Sequence, residues 1–313
     1  MVATAVLAAG CGSGAATQPA ATGAPPSQGQ GGFPKTIMHD KGTTVLPAKP
    51  RRVVALDPSL VAAVLVVDGP LVGGIPNYTG RTGPSYLGDA VKGVTDVGPL
   101  TSPNLEAIAA LQPDAIVSAT VRHDALYDEL SKIAPTVFVK TTGPQWQENI
   151  TTIGDVLGAE DKAAKTLSDY RQRAAAVGAA VNAKANQPTI SVVNFRNGPT
   201  RLYRKASFSG KILQDMGLAR PPSQDVADFA AEIGEEQIRQ ADADVVFIAS
   251  STGGQNAQER FRRNPLWGQL KAVQNDRVYD VSAEVWIESV SLQGAAQVID
   301  DIARVFGVDP ART

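Results

Sequence analysis

Two rhythms of apolar and polar positions alternate along the chain from Thr36 onward. Short apolar runs at Arg51–Leu56, Leu71–Ile75, Ala115–Ser118 and Thr136–Lys140 have the length and β-branched content of strands buried on both faces. Between them lie stretches with helical spacing, at Leu60–Val67 and over residues 122–133. Another helix opens at Ser102-Pro103-Asn104, where Ser suits the cap and Pro the first turn, with Leu105, Ile108, Ala109 and Leu111 on its buried face. The alternation restarts after Pro188. Strands are expected over Thr189–Phe195, Asp244–Ala249 and Arg277–Val281, and helices over Ser207–Met216, Glu235–Ala241, Gln258–Leu270 and Val290–Phe306. Strands alternating with helices predict an α/β fold with mainly parallel sheets.

Between the two sets, Trp146 to about Ala185 reads as one long helix. Ala163, Leu167, Tyr170, Ala174, Val177 and Val181 recur at spacings of four and three and form a single stripe. At about 1.5 Å per residue, such a helix reaches across a domain boundary. No short-period repeat is present, so the pattern predicts two lobes, 36–145 and 187–313, joined by a rigid inter-lobe helix over 146–186.

The first 35 residues follow neither rhythm. Residues 1–10 are small and apolar, too short to span a membrane, and they run into Cys11 like the end of a signal peptide. Leu7-Ala8-Ala9-Gly10-Cys11 resembles the bacterial lipobox, in which the cysteine is lipidated and the chain is cut just before it. Ala8 stands where that pattern usually has Leu, and no Lys or Arg precedes Lys35, so the true start is expected upstream. Residues 1–11 are read as a signal-peptide remnant with lipidation at Cys11. Residues 12–35, built mostly from Gly, Ala, Pro, Ser, Thr and Gln, have the composition of a flexible tether.

Composition narrows the chemistry. The 313 residues carry 29 Lys+Arg against 31 Asp+Glu, a net charge of −2, which gives no electrostatic footprint for nucleic acid. A single Cys excludes a disulfide framework, and with two His it leaves too few soft ligands for most transition-metal centres. An enzyme is not expected: the chain has no Gly-x-Ser-x-Gly elbow, no P-loop and no Gly-x-Gly-x-x-Gly after a strand. These exclusions leave a protein that binds a small molecule.

In open α/β sheets, ligands lie beyond the carboxyl ends of the strands. The segments predicted there concentrate arginines and aromatics, and the candidate ligand contacts are Tyr78, Arg81, Arg122, Arg196, Tyr203 and Trp286. Arg presents a planar fork of donors to anionic oxygens, and Tyr and Trp offer apolar faces with a polar tip. Arg201 and Arg204 are expected to be solvated, Trp267 to lie in the core, Trp146 to anchor a helix start, and His39 and His123 to be exposed.

Several strings carry a further signal. They are Lys49-Pro50-Arg51-Arg52, Gly98-Pro99-Leu100-Thr101-Ser102-Pro103-Asn104-Leu105-Glu106, Leu111-Gln112-Pro113-Asp114, Ile153-Gly154-Asp155-Val156-Leu157-Gly158, Ser207-Phe208-Ser209-Gly210 and Asn264-Pro265-Leu266-Trp267. In this order, over roughly residues 44–306, the chain resembles the class III substrate-binding proteins of ABC importers, which serve ferric siderophores, haem and vitamin B12. The resemblance implies two lobes that close little, with ligand in the cleft between them. It implies that Arg196 corresponds to a second-lobe arginine that contacts siderophore, and that Glu106 and Glu236 correspond to glutamates that dock on arginines of the permease. The helix macrodipole alone would also favour carboxylates at those two helix starts.

On this resemblance the chain is expected to be a monomer, lipid-anchored at the outer face of the cytoplasmic membrane. It would capture a ferric siderophore, preferably of hydroxamate type, and deliver it to an ABC permease without chemistry. The iron would be held by its chelator, so no cofactor and no direct metal ligand is expected. Haem, with Tyr78, Tyr203 or His123 as axial ligand, is the alternative, followed by cobalamin.

Overall fold

The computed structural model describes residues 32–75 and 84–312. A hairpin of β1 (Lys35–His39) and β2 (Gly42–Leu46) precedes the first lobe, so the first strand takes in Lys35 from the segment read as tether. The lobe continues through β3 (Val53–Ala55), α1 (Pro58–Val66), β4 (Leu71–Gly74), β5 (Thr95–Asp96), α2 (Leu105–Ala110), β6 (Ala115–Ala119), the short α3 (Thr120–His123), α4 (Tyr127–Ile133) and β7 (Thr136–Val139). Its five strands are all parallel, in the order β5-β4-β3-β6-β7.

Two helices follow, α5 (Trp146–Leu157) and α6 (Glu160–Ala185). The single helix expected over 146–186 is thus broken. Gly158 takes a left-handed conformation, φ 57°, and ends α5, a conformation that costs glycine little. Gly154 then lets the two helices meet: a Cβ there would lie 2.6 Å from that of Ala163. The apolar stripe from Ala163 to Val181 lies wholly within α6 and so carried no information about the break.

The second lobe comprises β8 (Ile190–Phe195), β9 (Thr200–Tyr203), α7 (Phe208–Asp215), β10 (Ala230–Ile233), β11 (Val245–Ser250), α8 (Gln255–Arg263), α9 (Lys271–Gln274), β12 (Val278–Val281) and α10 (Leu292–Phe306). Its sheet, β10-β9-β8-β11-β12, is mixed: β8, β11 and β12 are parallel, whereas β9 and β10 run antiparallel to their neighbours. Side-chain oxygens cap the helices that point at the lobe boundary. Asp57 accepts from Ser59 N at 2.8 Å, Ser207 from Gly210 N at 3.0 Å and Ser291 from Gly294 N at 2.9 Å. Helix α2 is capped by Asn104 and not by Ser102, so Pro103 lies just outside it.

One core crosses the boundary between the lobes. Trp146 of α5 packs edge-on against Tyr170 of α6 and Phe208 of α7, with ring centroids 5.2 and 5.8 Å apart. Burying rings of this size stabilises by about 1.5–3 kcal/mol each, and edge-to-face pairing adds to it. Helix α10 packs on both α1 and α6, and Gln293 donates to the Ala62 carbonyl at 3.1 Å. Beside these rings lies a polar seam. Gln147 and Tyr170 donate to Asp215 Oδ2 at 2.7 and 3.0 Å, and Arg171 donates to Gln147 at 3.0 Å. Burial, reinforced by the Asp215 carboxylate, pushes the Tyr170 phenol far above its ordinary range and keeps it a neutral donor.

Candidate functional site

Between the lobes lies a cleft of about 510 Å³. On the first lobe its wall is formed by Val121 and Arg122, in the turn after β6, and by Thr141–Pro144, after β7. These are the carboxyl ends of parallel strands, as the sheet rule requires. Arg122 is held from behind. Its Nε donates to Asp57 Oδ2 at 3.0 Å, and its Nη2 reaches Thr142 Oγ1 at 3.4 Å. Asp57, 0% exposed, accepts both Ser59 N and Ser59 Oγ on its other oxygen, at 2.8 and 2.7 Å. A buried carboxylate is tolerated when its lone pairs are filled and a cation sits beside it.

The wall of the second lobe starts from β9, where successive side chains point to opposite faces. Leu202 is buried in the lobe core, so Arg201 and Tyr203 share the cleft face. Arg201 donates through Nε and Nη2 to Glu232 Oε1 at 3.1 and 2.9 Å, from the paired position on β10. The Tyr203 ring meets Phe229 edge-on at 5.4 Å, and Phe229 remains 46% exposed at the cleft. Burial raises the Tyr203 phenol, opposed by its hydrogen bond to Asn194 and by the nearby arginines. Behind this strand the buried Arg220 donates to the carbonyls of Ile190 and Tyr203, at 2.8 and 2.7 Å, and to Gln224. Its burial pushes the guanidinium down to about 10. Phe208, Ile287, Glu288 and Val290 complete the wall.

Of the expected contacts, the fold brings Arg122 and Tyr203 together in the cleft. Arg196 is not among the lining residues; its Nη1 approaches Glu232 Oε1 at 3.5 Å, beside Arg201. Trp286 has to be corrected. It is 0% exposed, stacks on Phe247 at 4.6 Å and donates from Nε1 to Asp301 at 2.9 Å, so it is core and offers no face to a ligand. Tyr78, Arg81 and Cys11 lie outside the described residues. Glu106 and Glu236 are exposed at the starts of α2 and of the turn Glu235–Ala241, and neither side chain has an ion-pair partner among the described residues.

Arg201 belongs to the cleft, although its loop position suggested solvation. The alternation Arg201-Leu202-Tyr203 was the signal that could have found it. His123 also departs from expectation, being buried. Its Nε2 donates to the Leu100 carbonyl at 2.6 Å and its Nδ1 accepts from Ser118 Oγ at 2.8 Å, since a carbonyl can only accept. Burial lowers its pKa. Trp146 and Trp267 are buried, as anchor and core residue respectively. Among the described residues no cluster of His, Cys, Asp and Glu could hold a metal ion, and no helix is long and apolar enough to cross a membrane.

Residues 52–285, which contain most of the cleft lining but stop short of Ile287, Glu288 and Val290, match the family described as periplasmic binding protein. The chain belongs to the periplasmic binding protein family. It is a family of substrate-binding transport proteins and not of enzymes. Among curated relatives, the chain is 33% identical over 287 residues to the probable siderophore-binding lipoprotein YfiY of Bacillus subtilis, covering 87% of each. It is 29% identical to the Fe(3+)-citrate-binding protein YfmC of the same organism, over 86% of this chain and 85% of the relative. Among solved structures, Staphylococcus aureus SirA complexed with staphyloferrin B matches with a TM-score of 0.82 and 29% identity, over 88% of this chain and 99% of SirA. The likeness therefore takes in both lobes and the helices that connect them.

Proposed function

We propose that the protein captures a ferric siderophore in the inter-lobe cleft and delivers it to an ABC permease. The observation that carries this reading is a cavity of about 510 Å³ lined by Arg122 from one lobe and Arg201 from the other, each held by a carboxylate, together with the aromatic faces of Tyr203, Phe208 and Phe229. A chelated ferric ion presents oxygens of partial negative charge on an organic frame. Fixed guanidinium forks suit the first and aromatic faces the second. The names of the relatives, a siderophore-binding lipoprotein and an Fe(3+)-citrate-binding protein, support the same reading. So does the structural match to SirA with staphyloferrin B.

The charges around the cleft favour a chelate of low net charge. Arg122, Arg196 and Arg201 are balanced by Asp57, Glu232 and Glu288. A neutral ferric hydroxamate fits that balance better than a triply anionic catecholate. Ferric citrate is a second reading, favoured by the relative named for it. Haem and cobalamin are the alternative reading, with less support: both His123 nitrogens are engaged within the fold and Tyr203 is buried and hydrogen-bonded. That leaves Tyr78, outside the described residues, as the candidate axial ligand. Arg196 is proposed to act on the ligand through Glu232, and Tyr78 and Arg81 to contact it. Lipidation at Cys11 would hold a monomeric carrier at the outer face of the cytoplasmic membrane, with Glu106 and Glu236 engaging the permease.

Titration of the purified protein with ferrichrome, ferric citrate, ferric enterobactin and haemin, read by quenching of tryptophan fluorescence, tests this. Saturable quenching is expected, strongest with the hydroxamate. A Soret shift with haemin and no response to any ferric chelate would overturn it.

A further inference from the structure

Two of the three carboxylates around the cleft are committed to arginines. Asp57 is paired with Arg122, and Glu232 with Arg201 and Arg196. The third, Glu288, lines the cleft half-buried, and its carboxylate has no hydrogen bond or ion pair among the described residues. The cavity's guanidiniums, Arg122 and Arg201, are bonded to Asp57 and Glu232, and no lining side chain is bonded to Glu288. A carboxylate so placed has lost part of its water without gaining a partner, and it gains most from a donor that arrives with the ligand.

Its position is fixed by the turn that carries it. Glu284–Glu288 forms one π-helical turn, a form frequent at functional sites. The turn is tied at three points. Glu284 accepts Ser85 N and Ser85 Oγ of the first lobe, at 2.9 and 2.7 Å, Trp286 is locked in the core by Phe247 and Asp301, and Ser289 is buried. Ile287 and Glu288 are left facing the cavity. A group held in place before binding spends little ordering entropy when its partner arrives.

We infer that Glu288 is a charge-selecting residue, placed to receive an ammonium or other hydrogen-bond-donating cation at the periphery of a ferric chelate and to turn away polyanionic chelates. The inference rests on the ferric-siderophore reading and narrows it to chelates with a cationic arm. An unpaired carboxylate selects in both directions, since it attracts a cation and leaves a bound polyanion facing a like charge.

The test compares wild type with Glu288→Gln. The probes are ferrioxamine B, a trihydroxamate with a free ammonium, its N-acetylated form, which lacks that charge, and ferric enterobactin, a triply anionic catecholate. The substitution should weaken ferrioxamine B by about tenfold, the size of one charge-assisted hydrogen bond, and leave the N-acetylated form within about twofold. It should also narrow the gap to ferric enterobactin. Glu288 has no partner in the described fold, so the thermal midpoint should not move, which separates a binding effect from misfolding. Equal shifts for the two ferrioxamines, or none, would overturn charge selection while leaving the siderophore reading intact. A wild-type protein that binds none of the three chelates would overturn both.

Discussion

Arg122 and Asp57 meet at 3.0 Å just past the ends of two neighbouring strands, with Asp57 fully buried and the Arg122 side chain 32% exposed. The buried partner faces the fold and the exposed one faces the cleft. One ion pair thus joins helix capping to the cleft wall, because Asp57 is also the N-cap of α1.

Replacing Arg122 by Gln should act on both. Ligand affinity should fall by about tenfold or more, the loss expected for one charge-assisted hydrogen bond. Stability should fall by about 1–3 kcal/mol, since Asp57 keeps its Ser59 donors but loses its guanidinium. Chelate titration and urea unfolding measure the two effects. A variant of unchanged stability would show that Asp57 does not depend on Arg122.

The lobe contact at Gly178 offers a steric test. A Cβ there would sit 1.7 Å from the carbonyl oxygen of Met216, at the end of α7. Gly178→Ala should therefore push α7 off α6 and destabilise by about 1–3 kcal/mol, the usual scale of overpacking. Because α7 carries Phe208 to the cleft, chelate affinity should fall too. An unchanged melting temperature would mean that the two helices part without strain.

His123 sets a pH dependence. Burial holds its folded pKa below the ordinary 6.5, and the same cause lowers His39. Below about pH 6.5 the unfolded chain takes up protons that the folded chain refuses, so stability falls with falling pH until the folded values are reached. Each group contributes at most about 1.4 kcal/mol per pH unit. Urea midpoints between pH 7.5 and 5 should show the decline, and His123→Asn should make it shallower. A midpoint flat over that range would contradict a neutral imidazole at the buried His123.

Charge reversal at Glu106 and Glu236 should leave chelate affinity within about twofold, because neither residue lines the cleft. Iron uptake by cells that depend on this protein should nevertheless be lost if these carboxylates dock on the permease. Uptake at the wild-type rate in the double reversal would remove them from that role.

The sequence was most legible where one physical rule decided the outcome. Runs such as Ala115–Val117 and Val245–Ala249 are apolar without interruption, which suits a strand covered on both faces, and both lie in interior strands of their sheets. Strands β9 and β10 were missed because Thr200–Tyr203 is short, carries an arginine and sits near the sheet edge. The site was read in halves. Arg122 and Tyr203 followed from their position at strand ends, whereas Trp286 was misplaced because the sequence does not reveal which way a one-turn helix rotates its side chains. Glu288 lay in a segment expected at the cleft, but its lack of a partner among the described residues is a three-dimensional fact. The break at Gly158 was missed because the stripe from Ala163 to Val181 begins only beyond it and the single glycine was read as part of one helix.

The ring contacts of Trp146, Tyr170 and Phe208 and the packing of α1 on α10 weld the two halves into one body. A carrier that clapped shut on its cargo would announce a full load by shortening its own span. Here those contacts are expected to hold the distance from one lobe's outer rim to the other nearly constant, like the jaws of a locked gauge. A partner that grips both rims would then meet the same footprint full or empty, and would have to sense cargo at the cleft mouth itself.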